Sequence, residues 1–281
     1  MTIDGHGHGR ARGLLMQSLL HRIIRAYLDH IYRDTVRLRF QAQMDSLHGL
    51  KATRFLDCGC HAGHNTLNAA ERLKPDVAIG IEYGISFLLP ARQRGIEVIQ
   101  GDLNRPIPLP SDTVDVITAY DVLEHLVETW TFITELYRVL VPGGYLVLDS
   151  PNLASWHNVF ALMLGLQPFS GTNLISLAES DLSLVQSMHR KDHGLSNDEE
   201  VVIKGPDCKL HRHLVVAAYR SLIKVLEQAG FVIEATWGFG YYPLPPPLAH
   251  IISKIDPAHA HHYIIRARKS LSDWRHLDTK R

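Results

Sequence analysis

The chain has few cysteines and no excess charge of either sign. Cys58, Cys60 and Cys208 are its three cysteines, and so low and odd a count argues against a disulfide framework and for a reducing compartment. Lys plus Arg and Asp plus Glu each number 29, which removes the bulk positive charge that a nucleic-acid binder uses. We therefore expect no nucleic-acid partner.

Long apolar runs are also lacking. The longest, Val159 to Leu166, falls far short of the roughly 20 residues that a transmembrane helix needs. The first ten residues, MTIDGHGHGR, lack the apolar centre of a secretory signal. These absences predict a cytoplasmic protein without a transmembrane segment, while peripheral membrane contact and the oligomeric state stay open.

What the sequence does contain is a regular alternation of strands and helices. Apolar residues make up 46% of the chain, which is enough for a large core. Short apolar runs alternate with helical patterns of about ten residues, an order typical of a doubly wound α/β sheet with helices on both faces. We predict a mostly parallel, seven-stranded sheet with strands at Thr53–Asp57, Val77–Glu82, Ile96–Gln100, Val114–Ala119, Tyr145–Leu148, Phe231–Thr236 and a last strand in HYIIRARK.

Around this sheet the chain divides into further parts. We expect a disordered tail at 1–13, an N-terminal helical cap at 14–48, a main domain at 49–270 and a second tail at 271–281. Residues 151–213 read as an insertion after the fifth strand. The N-terminal helix is rich in arginine. This helix either binds a membrane surface or an anionic ligand, or it is a cap packed on the domain. We favour the cap.

The stretch RFLDCGCHAGHNT, residues 54–66, permits two interpretations. Cys58, Cys60, His61 and His64 offer metal ligands, but one residue between the cysteines is fewer than zinc sites normally have. Glycines between a strand and a helix instead suit a nucleotide, which needs close backbone approach and the free N–H groups of a helix start. An acidic residue, Glu82, ends the next strand, where it can accept hydrogen bonds from ribose hydroxyls.

Five motifs in order resemble those of the class I S-adenosylmethionine-dependent methyltransferases. They are FLDCGCHAG, IGIE, GDL, LPSDTVDVITAYDVLEHL and RVLVPGGYLVLDSPN. The resemblance is strong over 50–152 and loose over 214–268. It is greatest to small-molecule enzymes near the quinone-biosynthesis and methionine-biosynthesis types, and it implies a Rossmann-like methyltransferase fold with S-adenosyl-L-methionine as cofactor.

The resemblance also implies roles for individual residues. The motifs assign the methionine end of the cofactor to Asp57 and to the backbone around Gly59 and Gly63, the ribose to Glu82, and the adenine to Asp102 and Leu103, with Tyr120 completing the set. The implied reaction is methyl transfer to a small-molecule or lipid-like acceptor, with O-, N- and C-methylation all open. The alternative is a cofactor-binding partner or regulatory module of the same fold with little turnover.

One position departs from the family. His61 stands where these enzymes usually have glycine, between the two glycines of the first motif. Its side chain either points away from the cofactor or touches the methionine part. We favour the first, because the flanking glycines still permit close backbone approach.

The catalytic residues that we expect are His125 and Glu124, just after the fourth strand. In some quinone-type relatives the residues matching Asp121, Glu124 and His125 bind a divalent metal, but we expect structural hydrogen bonds and no metal here. His211 and His213 are rival candidates for a base.

The acceptor pocket should form from the N-terminal helix, the 151–213 insertion, which would cover it, and the loop YYPLPPPLAH. Its expected aromatic walls are Trp156, Phe160, Tyr241 and Tyr242.

Overall fold

The structure, a computed structural model, describes residues 7–171 and 213–271, with side chains from residue 22 onward. Its strands are β1 (Arg54–Cys58), β2 (Val77–Glu82), β3 (Glu97–Gln100), β4 (Val114–Tyr120), β5 (Leu140–Pro151), β6 (Phe231–Phe239) and β7 (His262–Lys269). Helices in the described ranges are α1 (Gly7–Asp45), α2 (His64–Leu73), α3 (Ile85–Gln93), α4 (Thr129–Val139), α5 (Trp156–Met163), α6 (Tyr219–Gln228) and α7 (Pro246–Ile255). Short 3₁₀ turns lie at Leu123–His125 and Pro257–His259.

The seven strands form one sheet in the order β3-β2-β1-β4-β5-β7-β6. Neighbours from β3 to β5 run parallel, and β7 is antiparallel to both β5 and β6. The predicted seven-stranded, mostly parallel α/β sheet is therefore confirmed. In such a sheet the carboxyl ends of the parallel strands share one edge, which is where a ligand site forms.

Side-chain alternation divides the core between the two faces of the sheet. Phe55 of β1 packs in a cluster with residues of α1 and α2, whereas its neighbour Leu56 packs with residues of α4 and α6. Successive side chains of a strand point to opposite faces, so each face needs its own helical cover. The result is a three-layer arrangement whose central strands are apolar on both sides.

The predicted N-terminal cap is a longer helix than expected. It begins at Gly7 rather than at residue 14, so the expected tail of 1–13 is helical from residue 7, and residues 1–6 lie outside the described part. Its second half packs on the domain, where Ile31 and Met44 are buried. In the ranges 7–171 and 213–271, no helix combines the length and the apolar content needed to cross a membrane.

Two further elements correct the sequence prediction. The fifth strand, predicted at Tyr145–Leu148, begins at Leu140 and continues to Pro151, through Pro142, Gly143 and Gly144. The pairing with β4 shifts by several residues there, so this proline and the two glycines sit in an irregularity of the strand. The Pro-rich loop also contains α7, which starts at Pro246, since proline is tolerated in the first helical turn, where the N–H has no helical partner.

Candidate functional site

A cavity of about 770 Å³ opens at the carboxyl ends of the parallel strands. Cavities of this size hold ligands of nucleotide size and larger. Of the predicted site residues, those that line it are Asp57, Gly59, His61, Glu82, Asp102, Leu103, Tyr120, Glu124 and His125. Residues from distant parts of the sequence thus share one cavity, as the motif order predicts.

Asp57 is buried at the end of β1 between two hydroxyl donors. Thr118 of β4, which pairs with Asp57 in the sheet, donates to Oδ1 at 2.7 Å, and Thr66 of α2 donates to Oδ2 at 2.5 Å. Burial raises the pKa of Asp57 to about 6, aided by the charge of Glu82 and opposed by both hydroxyls. A cationic ligand group beside it would favour the ionised form.

Glu82 shapes the loop that follows β1. Its Oε2 accepts the His61 N–H at 2.8 Å, and its Oε1 accepts the Gly84 N–H at 2.7 Å. Each carboxylate oxygen has a further lone pair, so the side chain can still accept from a ribose hydroxyl.

His61 adopts a left-handed backbone conformation, with φ of 47°, and its ring lies against Phe87 with the ring centroids 3.5 Å apart. Both residues line the cavity. The histidine therefore packs toward α3 at the cavity wall, although its effect on the cofactor stays a prediction.

The two motif glycines have different surroundings. Gly59 lines the cavity at φ of 75°, and an added Cβ would lie 2.7 Å from Val122. Gly63 has φ of 86° and is absent from the cavity lining, because it packs on Ile96 and Ala91. The structure therefore places Gly59 at the cavity and Gly63 in helix packing.

The cysteines do not form a metal cluster in the described part of the chain. Cys58 and Cys60 are both buried, and burial raises their thiol pKa values, to about 12 for Cys60. The Cys60 side chain fills the space beside Gly80, and His64 pairs with Arg94 instead. Cys208 lies outside the described residues. Thiols held protonated in this way are core residues rather than ligands.

The predicted adenine side is built from two loops tied together. Asp102 accepts from the Asn104 N–H at 2.9 Å, and Asn104 Oδ1 accepts from the N–H groups of Val127 and Glu128. Leu103, buried between them, supplies an apolar surface in the cavity wall. Tyr120 completes the lining below α1, and burial raises its pKa well above the usual value.

Glu124, His125 and His213 line the same cavity. Glu124 and His125 belong to the 3₁₀ turn after β4, and His213 returns from the insertion. The backbone carbonyl of Glu124 accepts the Leu214 N–H at 2.6 Å, which holds the returning chain against the turn. As a result the His125 and His213 rings are 5.3 Å apart, while His211 lies outside the described residues.

Glu124 is a buried acid beside these rings. Ser150 donates to its Oε2 at 3.2 Å, and its Oε1 has no hydrogen-bond partner within the described ranges. Burial, reinforced by the charge of Asp121, raises the pKa of Glu124 well above its usual value. The carboxyl group is therefore suited to hold a proton at the cavity wall.

A charged cluster that the sequence analysis missed joins α1 to the sheet. Arg39 donates to Asp149 at 2.5 Å and also bonds Asp121, while Gln43 donates to Asp149 at 2.5 Å. For Asp121 the sequence favoured structural hydrogen bonds over a metal, and in the structure this residue pairs with Arg39. Nothing in the local sequence distinguishes Arg39 from the other arginines of α1, so this contact required the fold.

Two groups of residues bring potential metal ligands within 4.8 Å of one another, in the part of the chain that the structure describes. One is Glu124, His125 and His213. The other is Asp121, Asp149 and His262, where Arg39 already supplies positive charge to both aspartates. A cation in the second group would compete with that guanidinium.

The expected aromatic walls lie elsewhere. Trp156 stacks on His259, Phe160 is exposed, and Tyr241 and Tyr242 are buried away from the cavity lining. The cavity is also lined by Tyr32, Thr35, Val36 and Arg39 of α1 and by His213, His261 and His262. The N-terminal helix thus lines the cavity, whereas no described residue of the YYPLPPPLAH loop does.

Comparison with known sequences matches residues 56–148 to a family described as a methyltransferase domain. The chain is 34% identical over 102 residues to a probable S-adenosylmethionine-dependent methyltransferase of Mycolicibacterium smegmatis, covering 34% of this chain and 37% of that protein. It is 26% identical over 163 residues to a demethylmenaquinone methyltransferase of Listeria welshimeri, covering 54% and 68%. The matched segments thus span from about a third to two thirds of these relatives.

Solved structures share the fold at low identity. An S-adenosylmethionine-dependent methyltransferase from Mesorhizobium loti superposes with a TM-score of 0.51 at 16% identity, covering 82% of this chain and 96% of that one. The [4+2]-cyclase SpnF superposes with a TM-score of 0.52 at 17% identity, covering 84% and 81%. At such identities the likeness establishes the fold and leaves the chemistry to the site.

Proposed function

Since the chain carries a class I S-adenosylmethionine-dependent methyltransferase domain, we propose that it transfers a methyl group from S-adenosyl-L-methionine to a small-molecule or lipid-like acceptor. The observation that carries this proposal is one cavity lined by two chemically different groups of residues. The carboxylates at the ends of β1 and β2 form one group, and Glu124, His125 and His213 form the other. A methyl donor and an acceptor need such adjoining places.

The residues of the first group fit the cofactor. Asp57 offers a carboxylate to the cationic group at the methionine end of the cofactor. The start of α2 adds backbone N–H groups for the cofactor's own carboxylate. Glu82 offers carboxylate oxygens as acceptors for the ribose hydroxyls, and Leu103 offers an apolar surface to the adenine. When bound, the cofactor supplies an electrophilic methyl group on a sulfonium ion.

The second group fits an acceptor that loses a proton. Charge is neutralised as the acceptor attacks the methyl carbon, so alignment and exclusion of water are the main requirements. We assign the role of general base to the His125 imidazole, because its neighbour Glu124 has a raised pKa and favours its protonated form. No metal is part of this proposal, although the same residues come close enough to bind one.

Calorimetry with S-adenosylhomocysteine tests the cofactor site. Glu82→Ala should weaken binding by about 1–3 kcal/mol, the cost of unpaired polar partners. Because Glu82 also holds the His61 and Gly84 N–H groups, urea unfolding without ligand must be measured in parallel. Glu97→Ala, an exposed carboxylate at the far end of β3, is the matched control and should bind normally. Unchanged affinity in Glu82→Ala would remove Glu82 from the ribose.

Turnover is tested with methyl-labelled cofactor and small-molecule and lipid extracts, followed by mass spectrometry of the labelled product. With that acceptor, His125→Gln should lower kcat by about 10²–10⁴. Binding of S-adenosylhomocysteine should persist, and the exposed His48→Gln variant should act as wild type. Activity that survives exhaustive chelation supports the metal-free mechanism.

The competing function is a cofactor-binding or regulatory module of the same fold. Its support is His61, which stands at the cavity wall where the family usually has glycine. Tight S-adenosylhomocysteine binding without labelled product from any extract would favour this second function.

A further inference from the structure

Apolar side chains lie exposed along one face of α7. Leu248, Ile251 and Ile255 are 43%, 55% and 78% exposed. Their spacing of three and four residues puts them on the same side of the helix. An exposed apolar stripe of this kind is unusual on a surface that meets only water.

The first part of α1 extends this stripe. Ile23 and Tyr27, four positions apart, are 57% and 40% exposed. The Tyr27 hydroxyl donates to the Pro243 carbonyl at 3.0 Å, just before α7, and the two helices are in contact. We call these five residues, Ile23, Tyr27, Leu248, Ile251 and Ile255, the α1–α7 surface.

Positive charge borders the α1–α7 surface. Arg22 and Arg25 are exposed on α1, and Lys254 is exposed on α7. Acidic residues begin only at its edges, with Asp29 of α1 after Tyr27 and Asp256 after the end of α7. Exposed apolar residues bordered by arginine and lysine match an anionic lipid surface, where acyl chains take the apolar groups and headgroups take the charge.

The α1–α7 surface lies close to the cavity along α1. Tyr32, which lines the cavity, follows Tyr27 by five positions in the same helix, about 8 Å along the helix axis. Val36 and Arg39 continue this lining. The two interpretations of the N-terminal helix therefore apply to different parts: its second half packs as a cap, and residues 22–27 remain exposed.

We propose that the α1–α7 surface docks the protein on anionic lipid. Docking places the part of the cavity lined by α1 close to the headgroup region, where a lipid-like acceptor resides. This interaction does not depend on methyl transfer, so it can fail while the proposed function stands, and the reverse is also true.

The test is flotation of the full chain with vesicles of phosphatidylcholine, with and without an equal part of phosphatidylglycerol. Wild type should float with the anionic vesicles and less at high salt. The double change Ile251→Asp and Ile255→Asp should lower the partition coefficient at least tenfold. The matched control is Leu89→Asp, an equally exposed apolar residue of α3, which should float as wild type.

Each variant is also titrated with S-adenosylhomocysteine, so that a folding defect is recognised by lost cofactor binding. Arg22→Gln with Arg25→Gln should lower the partition coefficient several-fold and weaken its salt dependence. Absence of flotation by wild type, or equal flotation by the α7 double variant, overturns the proposal. Concentration-dependent dimers in sedimentation that the α7 changes abolish, without vesicle binding, assign the surface to a second copy instead.

Discussion

The buried ion pair between α1 and β5 should hold the N-terminal helix on the domain. Arg39 has 13% of its side chain exposed, and its partner Asp149 has none. Arg39→Met keeps most of the apolar volume and removes the charge. Asp149 then keeps the Gln43 amide as donor but loses its counter-charge, with a second aspartate, Asp121, nearby.

The expected cost follows from this burial. Removing one partner of a buried pair typically costs about 3–5 kcal/mol, because the other charge stays desolvated and uncompensated. Arg37→Met is the matched control on the same helix. The Arg37 side chain is 65% exposed in its pair with Asp34, so its loss should cost no more than about 1 kcal/mol.

Urea unfolding followed by circular dichroism measures both variants, with the midpoint moving and the slope unchanged. Adding Asp149→Asn to Arg39→Met should recover part of the stability, since the uncompensated charge is gone. A loss below about 1 kcal/mol in Arg39→Met, or no recovery in the double variant, refutes the account of this pair.

Three further outcomes follow from the cavity and its loop. The pKa of Asp57 is raised to about 6, so the folded protein retains a proton that the unfolded chain loses near pH 4. The contribution of this proton to stability is therefore complete below about pH 4 and is lost as the pH rises to about 6. Urea midpoints across that range should therefore show a decline that Asp57→Asn lacks, and S-adenosylhomocysteine affinity should rise over the same range in wild type alone. His61→Gly should leave that affinity within about threefold by calorimetry, because glycine keeps the left-handed backbone; a tenfold gain would show that the ring obstructs the cofactor. Gly80→Ala should destabilise by about 1–3 kcal/mol in thermal unfolding, since the new Cβ would lie 2.5 Å from Cys60 Sγ.

Local sequence was sufficient wherever an element ends on a strong breaker. The bounds predicted for β2, Val77–Glu82, are those of the structure, because Pro75 comes just before it and apolar residues fill it. The family resemblance implied that Asp57 and Glu82 act at one ligand, and both line the cavity. A strand pattern followed by a helix pattern brings their ends to one edge of the sheet.

Local sequence was not sufficient where contacts between distant parts of the chain bring two residues together. His213 reaches His125 because the backbone of Leu214 bonds to Glu124, a contact across the whole insertion. For the same reason Arg39 and Asp149, 110 positions apart, could be paired only in the fold.

Glu82 shows why a correct motif can still give an incomplete test. The motif predicts a ribose ligand, and the cavity lining agrees with that placement. The same carboxylate also accepts the His61 and Gly84 N–H groups, so it fixes the loop that would contact the methionine end. Its removal therefore changes two parts of the cofactor site at once. Glu82→Gln separates these two effects in part. Its amide oxygen can still accept from one of the two loop N–H groups, whereas its amide nitrogen faces the other and cannot accept from it. A larger loss of affinity in Glu82→Ala than in Glu82→Gln, at equal stability, would assign the difference to the ribose.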